Sequence, residues 1–178
     1  MMVHWLRTSK SSSVILLFLR LWLGWQWLMD GIHKVFGAKP FDASGFIKGA
    51  IAHPVTGPEG NVLYGPFNGF LQHVALPGSG FFSFMVAWGE LLVGLGLLLG
   101  TLTTAAVFFG LMMNFVYMFA GTVSTNPLYV LIGSIILFAG FNAGKWGGDY
   151  WVIPWLRSKV SGWFHKSGPT VNRRKAAS

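Results

Sequence analysis

The stretch FFSFMVAWGELLVGLGLLL, Phe81 to Leu99, decides how this chain folds. Apart from Glu90 it contains only Leu, Val, Gly, Phe, Ser, Ala, Met and Trp. As a helix rising ~1.5 Å per residue, it is long enough to cross the hydrocarbon core of a bilayer. A carboxylate at the centre of such a helix costs about 2.5–3.5 kcal/mol on insertion scales, so it seldom faces lipid. Glu90 therefore needs a partner, a proton or a polar cavity. Arg20 and Asn114 stand at similar depths in two other apolar runs and are the candidate partners.

Working outward, the composition agrees with a membrane protein. The 178 residues are 53% hydrophobic and 10% charged, where soluble domains average about 25% charged. Four runs can span, at about 13–31, 81–99, 103–121 and 127–145; the last is the weakest because Asn142 and Lys145 fall inside it. The fold class expected is all-α: a polytopic bundle of four transmembrane helices. Its parts are a cytoplasmic N-terminal segment (1–12), the membrane domain (13–157) and a basic cytoplasmic tail (158–178). The first run follows basic residues but lacks a small-residue cleavage pattern, and Arg20 interrupts it, so it reads as a retained helix.

Residues 32–80 form the one long loop. FDASGFIKGAI and FNGFLQHVAL within it place apolar residues at helical spacing, with Asp42 and Asn68 as candidate N-caps. Two short interfacial helices are expected there. A further amphipathic segment is expected after span four, in GKWGGDYWVIPWLRSKVSGWF, interrupted at Pro154 and capped by Asp149.

There is no cysteine, which excludes thiol nucleophiles, thiolate-bound iron–sulfur clusters and c-type haem attachment. None of the five histidines lies deep in a predicted span, which argues against paired intramembrane haem ligands. No metal site is predicted. The net charge of +8 comes mainly from Lys and Arg flanking the spans. That distribution favours cytoplasmic termini and contact with anionic headgroups, and not nucleic acid.

The small residues of each span share a face with its polar group. Arg20, Gly24, Trp27 and Gly31 lie along one helix face, as do Ala87, Glu90, Gly94 and Leu97, and Gly110, Asn114, Tyr117 and Gly121. Counted from the cytoplasmic ends, Arg20, Glu90 and Asn114 fall at ~10, ~13 and ~16 Å. An Arg20–Glu90 pair is the expectation. Such a pair admits an architectural reading, fixing helix register, and a functional one, since intramembrane ionisable groups mark ligand or proton paths. Asp30, His33 and Lys34 form a second cluster at the outer end of span one. Asp30 and Lys34 are spaced for an i, i+4 pair, and the group is suited to an anion or a quinone headgroup.

LRLWLGWQWLMDGIHK, WGELLVGLGLLLGTLTT, MNFVYMFAGTVSTNP and FNAGKWGGDYWVIPWL, in this order, resemble the DoxX/DoxD family of small bacterial four-helix membrane proteins, over roughly residues 14–157. The resemblance implies residence in the bacterial cytoplasmic membrane. For DoxD-like members it implies the membrane subunit of a thiosulfate:quinone oxidoreductase, with a diffusible quinone as acceptor and a partner redox subunit. It brings no catalytic residue set. On physical grounds Glu90 and Arg20 are the catalytic candidates, Asn114 and Arg20 hold the quinone headgroup, and His33 and Lys34 meet the anionic substrate. The alternative is a non-enzymatic scaffold of a redox complex, or a small-solute carrier.

Overall fold

In the computed structural model, which describes residues 1–166 and side-chain surroundings through residue 161, the chain is all-helical. The helices are α1 (Met2–Thr8), α2 (Lys10–Phe36), α3 (Ser44–Ala52), α4 (Gly65–Phe70), α5 (Ser79–Leu99), α6 (Thr103–Phe119), α7 (Asn126–Ala139), α8 (Phe141–Gly144) and α9 (Asp149–Lys166). A π-helical turn, Leu71–Ala75, extends α4. The Arg173, Arg174 and Lys175 part of the basic tail lies outside the described residues.

Four apolar helices, α2, α5, α6 and α7, form the bundle. Two are long and apolar enough to cross a membrane, α2 and α5, while α6 and α7 have 17 and 14 residues. The fourth run is not continuous: Gly140 (φ 57°, ψ −131°) ends α7, and α8 follows. The bundle is greasy outside, and its largely apolar core encloses a few polar groups. Arg20, Glu90 and Asn114 are buried, whereas Phe18, Trp25, Phe84, Leu92, Phe109 and Leu131 are exposed. In water such a surface would be a large aggregation liability; in lipid it is the expected solvent face. Of the tryptophans in α2, Trp27 is buried in the core and Trp22 and Trp25 face outward.

The α2–α5 interface is the most extensive in the molecule. It is antiparallel and pinned by glycines: Gly24 meets Leu97, Gly94 meets Leu28, and Gly31 meets Leu91. A methyl group on Gly31 would lie 2.6 Å from Leu91 Cα, and one on Gly94 would lie 2.5 Å from Leu28 Cα. Backbone stands opposite each, so no side chain can swing aside. Gly31→Ala and Gly94→Ala should each lower stability by about 1–3 kcal/mol by forcing the helices apart. Thermal unfolding in detergent checks this, with Gly45→Ala, which has open space around it, as the silent control.

The two helices expected in the long loop are present and share a second core of Ala43, Ile47, Ala50, Leu71, Ala75 and Ala120. Asp42 accepts from the Ser44 amide (2.8 Å) and hydroxyl (2.7 Å) at the start of α3. Those bonds hold its carboxyl below the usual carboxylate range. Asn68 differs from expectation: it sits inside α4, not at its cap. Pro154 also lies within α9 and does not divide it.

Candidate functional site

Glu90 is buried on the inner face of α5, and it does have partners. They come from the two helices that flank α5. Lys34, in the last turn of α2, forms an ion pair with Glu90 Oε2, the one ion pair among the described residues. From α6, Tyr117 Oη donates to Glu90 Oε1 at 2.7 Å. One carboxylate thus joins three helices through a charged and a neutral donor. Bonds to an ionised acceptor are about twice as strong as neutral ones.

The expected Arg20–Glu90 pair does not form. The glycine contacts set the register: Gly31 is opposite Leu91 and Gly24 is opposite Leu97. Glu90 therefore lies level with the end of α2 that carries Lys34. Arg20 lies beyond the last turn of α5, roughly a dozen residues or ~18 Å away along the axis. Aligning the inner ends of the spans misled the depth count, because α2 has 27 residues and overhangs the 21-residue α5.

Arg20 instead caps a helix. Its Nη1 donates to the carbonyls of Leu97 and Leu98, the latter at 3.2 Å, and its Nη2 reaches Trp146 O at 3.5 Å. A guanidinium at this end satisfies orphan carbonyls and complements the helix dipole. Asp149 performs the opposite task. Although it begins α9, its carboxylate accepts from the amides of Leu102 (2.6 Å) and Thr103 (3.1 Å), capping α6. It was expected to cap its own segment. Gly147 and Gly148 allow this docking, since a Cβ on Gly147 would meet Gly100 Cα at 2.8 Å. Gly148 N and Asp149 N also donate to Leu99 O and Gly100 O at 3.0 and 2.7 Å. This junction is structural in its contacts, and it removes Arg20 from the surroundings of Glu90.

The remaining predicted residues divide. Lys34 joins Glu90 and is not held by Asp30; Asp30 and His33 are exposed nearby on α2. Asn114 is buried, and its Oδ1 has no hydrogen-bond partner among the described residues. The α5–α6 contacts, Gly89 against Met113 and Val93 against Gly110, put Asn114 within about a turn of the Glu90 level. Two aromatic rings from the loop cover the donors. The Phe41 ring lies 5.4 Å from Lys34 Nζ, and Phe46 packs edge-on against Tyr117 at 6.2 Å. The Ala43 amide, donating to Ser83 Oγ at 2.9 Å, ties the start of α3 to α5. Tyr117 was on the face read as functional but was given no role; it is the one tyrosine of α6, which was the available signal.

A helical bundle with an apolar exterior and a few buried ionisable groups defines a membrane protein. Residues 15–122 match the family model DoxX, and the chain belongs to the DoxX family. That match covers most of α2 and all of α3 to α6, and contains Lys34, Glu90, Asn114 and Tyr117. Comparison with curated proteins found no match, and comparison with solved structures found none either.

Proposed function

We propose that this DoxX protein is the membrane component of a quinone-linked oxidoreductase, with Glu90, Lys34, Tyr117 and Asn114 as its proton-handling site. The observation that carries the reading is the convergence of a carboxylate, an ammonium and a phenol from three helices in an apolar bundle. A quinone headgroup, when bound, supplies two-electron, two-proton acceptor chemistry. The residues fit such a group. Lys34 and Tyr117 are donors suited to carbonyl oxygens, and the unpartnered Asn114 Oδ1 is an acceptor suited to a hydroxyl. Glu90 alternates between carboxylate and acid and so holds a proton at Oε1 or Oε2.

The finer reading is oxidation of thiosulfate. Two thiosulfate ions joined as tetrathionate release two electrons, which reduce the quinone with two protons. The anion meets Lys34, beside His33, at the loop end of α2. With no cysteine in the chain, electrons pass by direct encounter or through a partner subunit. Membranes containing the protein should reduce a short-chain quinone analogue when thiosulfate is added from the loop side. No thiosulfate-dependent reduction in either membrane orientation would refute it.

A scaffold role is the second reading, favoured by one observation: Lys34, Glu90 and Tyr117 already satisfy one another. Redox-difference spectra of purified protein with quinol separate the two, because a scaffold gives no change.

For topology, we infer four spans with α7 and α8 together making the last, both termini cytoplasmic and residues 32–80 outside. The cysteine-free background makes labelling direct. A cysteine at Ser44 should react with an impermeant maleimide from outside only; reaction from the cytoplasm alone would invert the arrangement.

A further inference from the structure

The two halves of the ion pair differ in access to water. The Lys34 side chain is 25% exposed and that of Glu90 only 3%. The ammonium therefore stands at the loop-side rim of the bundle, next to exposed His33, while the carboxylate is sealed between α2, α5 and α6. An incoming anion can reach the cation without reaching the carboxylate. A buried carboxylate stripped of its counter-charge is strongly disfavoured, and such groups neutralise by taking a proton.

We propose that Lys34 captures a small oxyanion at the rim and that this capture loads one proton onto Glu90. The inference rests on Lys34 being the anion contact of the function proposed above. The step balances without electrons. Lys34 keeps its charge, the oxyanion replaces the Glu90 carboxylate as its counter-ion, and a proton from the outer water neutralises Glu90. Anion binding and the supply of a proton for acceptor reduction become one event at one residue pair.

The charged and titratable groups around Glu90 are consistent with this exchange. On α2, Asp30 lies one turn before Lys34 and is exposed, a like charge to Glu90 on the helix that carries its cation. On α6, the Tyr117 hydroxyl donates to Glu90, and an O–H donor serves the carboxyl in either protonation state. On α3, Lys48 is exposed and interacts with Asp42. The Phe41 ring 5.4 Å from the Lys34 ammonium gives the cation an attractive surface besides Glu90.

The test uses purified full-length protein in weakly buffered detergent, with sulfate as a non-reducing probe. Calorimetry in buffers of different ionisation enthalpy reads both bound sulfate and proton uptake. The expected result is one proton per sulfate, with Kd rising about tenfold per pH unit wherever free Glu90 is ionised. Glu90→Gln should bind sulfate with no uptake and no pH slope, and Lys34→Gln should lose binding. Should Glu90→Gln fail to fold, the wild-type slope decides alone. Saturable binding that needs Lys34 but takes up no proton overturns the coupling and leaves the anion contact standing. Uptake that persists in Glu90→Gln also overturns it. Absence of saturable binding, or binding indifferent to Lys34→Gln, overturns both.

Discussion

Lys34→Met should be among the most damaging single substitutions in this protein, lowering stability by about 3–5 kcal/mol. The loss comes from Glu90, which would remain sealed in the bundle without its one ion-pair partner among the described residues. The partial exposure of Lys34 lets some water reach the pair, which places the effect toward the lower end of that range. Adding Glu90→Gln to Lys34→Met should recover much of the loss, because the stranded charge is gone while Tyr117 can still donate to the amide oxygen. Arg20→Met should also destabilise, through the uncapped carbonyls of Leu97 and Leu98. It should gain nothing from Glu90→Gln, since the two sites are separate. Thermal unfolding of the three single variants and the two doubles in detergent checks the pattern. Rescue of Arg20→Met by Glu90→Gln, without rescue of Lys34→Met, would restore the pairing expected from depth alone.

That contrast shows which parts of the structure were legible in the sequence. Burial of Glu90 was legible because one carboxylate in an apolar run has few places to go. The packed faces were legible too: Gly24, Trp27 and Gly31 on α2 and Ala87, Gly94 and Leu97 on α5 are all buried. Their small residues repeat at helical spacing, and the same glycines make the closest helix contact. The helix-to-helix register was not legible. It depends on where each helix begins and ends, and α2 runs from Lys10 to Phe36, well past the apolar stretch that marks it. The extra turn at its C-terminal end carries Lys34 to Glu90, and the register set by Gly24 against Leu97 and Gly31 against Leu91 leaves Arg20 past the end of α5.

Lys34 was named as a site residue, but its spacing from Asp30 pointed to a local pair. A local partner one turn away is always available to a solvated lysine, and only the fold reveals that a buried carboxylate competes better. Asp149 shows the same limit. Its position after two glycines marked a cap, yet the helix it caps is α6, some 46 residues earlier in the chain.

Glu90→Gln bears most directly on the claim that this cluster handles protons. Glutamine keeps the size of the side chain and its hydrogen-bonding capacity, so Tyr117 retains an acceptor and the bundle should still assemble. What it loses is the ability to gain and release a proton. If Glu90 relays protons to a reducible headgroup, turnover per folded molecule should fall by about 10²–10⁴-fold, the usual worth of a general acid–base. If Glu90 only joins α2 to α5, the same variant should be less stable, because Lys34 has lost its counter-charge, while each folded molecule turns over as before. The decisive measurement is therefore quinone-analogue turnover of Glu90→Gln, normalised to folded protein by size-exclusion chromatography. A fall of two orders of magnitude or more is the result predicted here, and near-wild-type normalised turnover would contradict it.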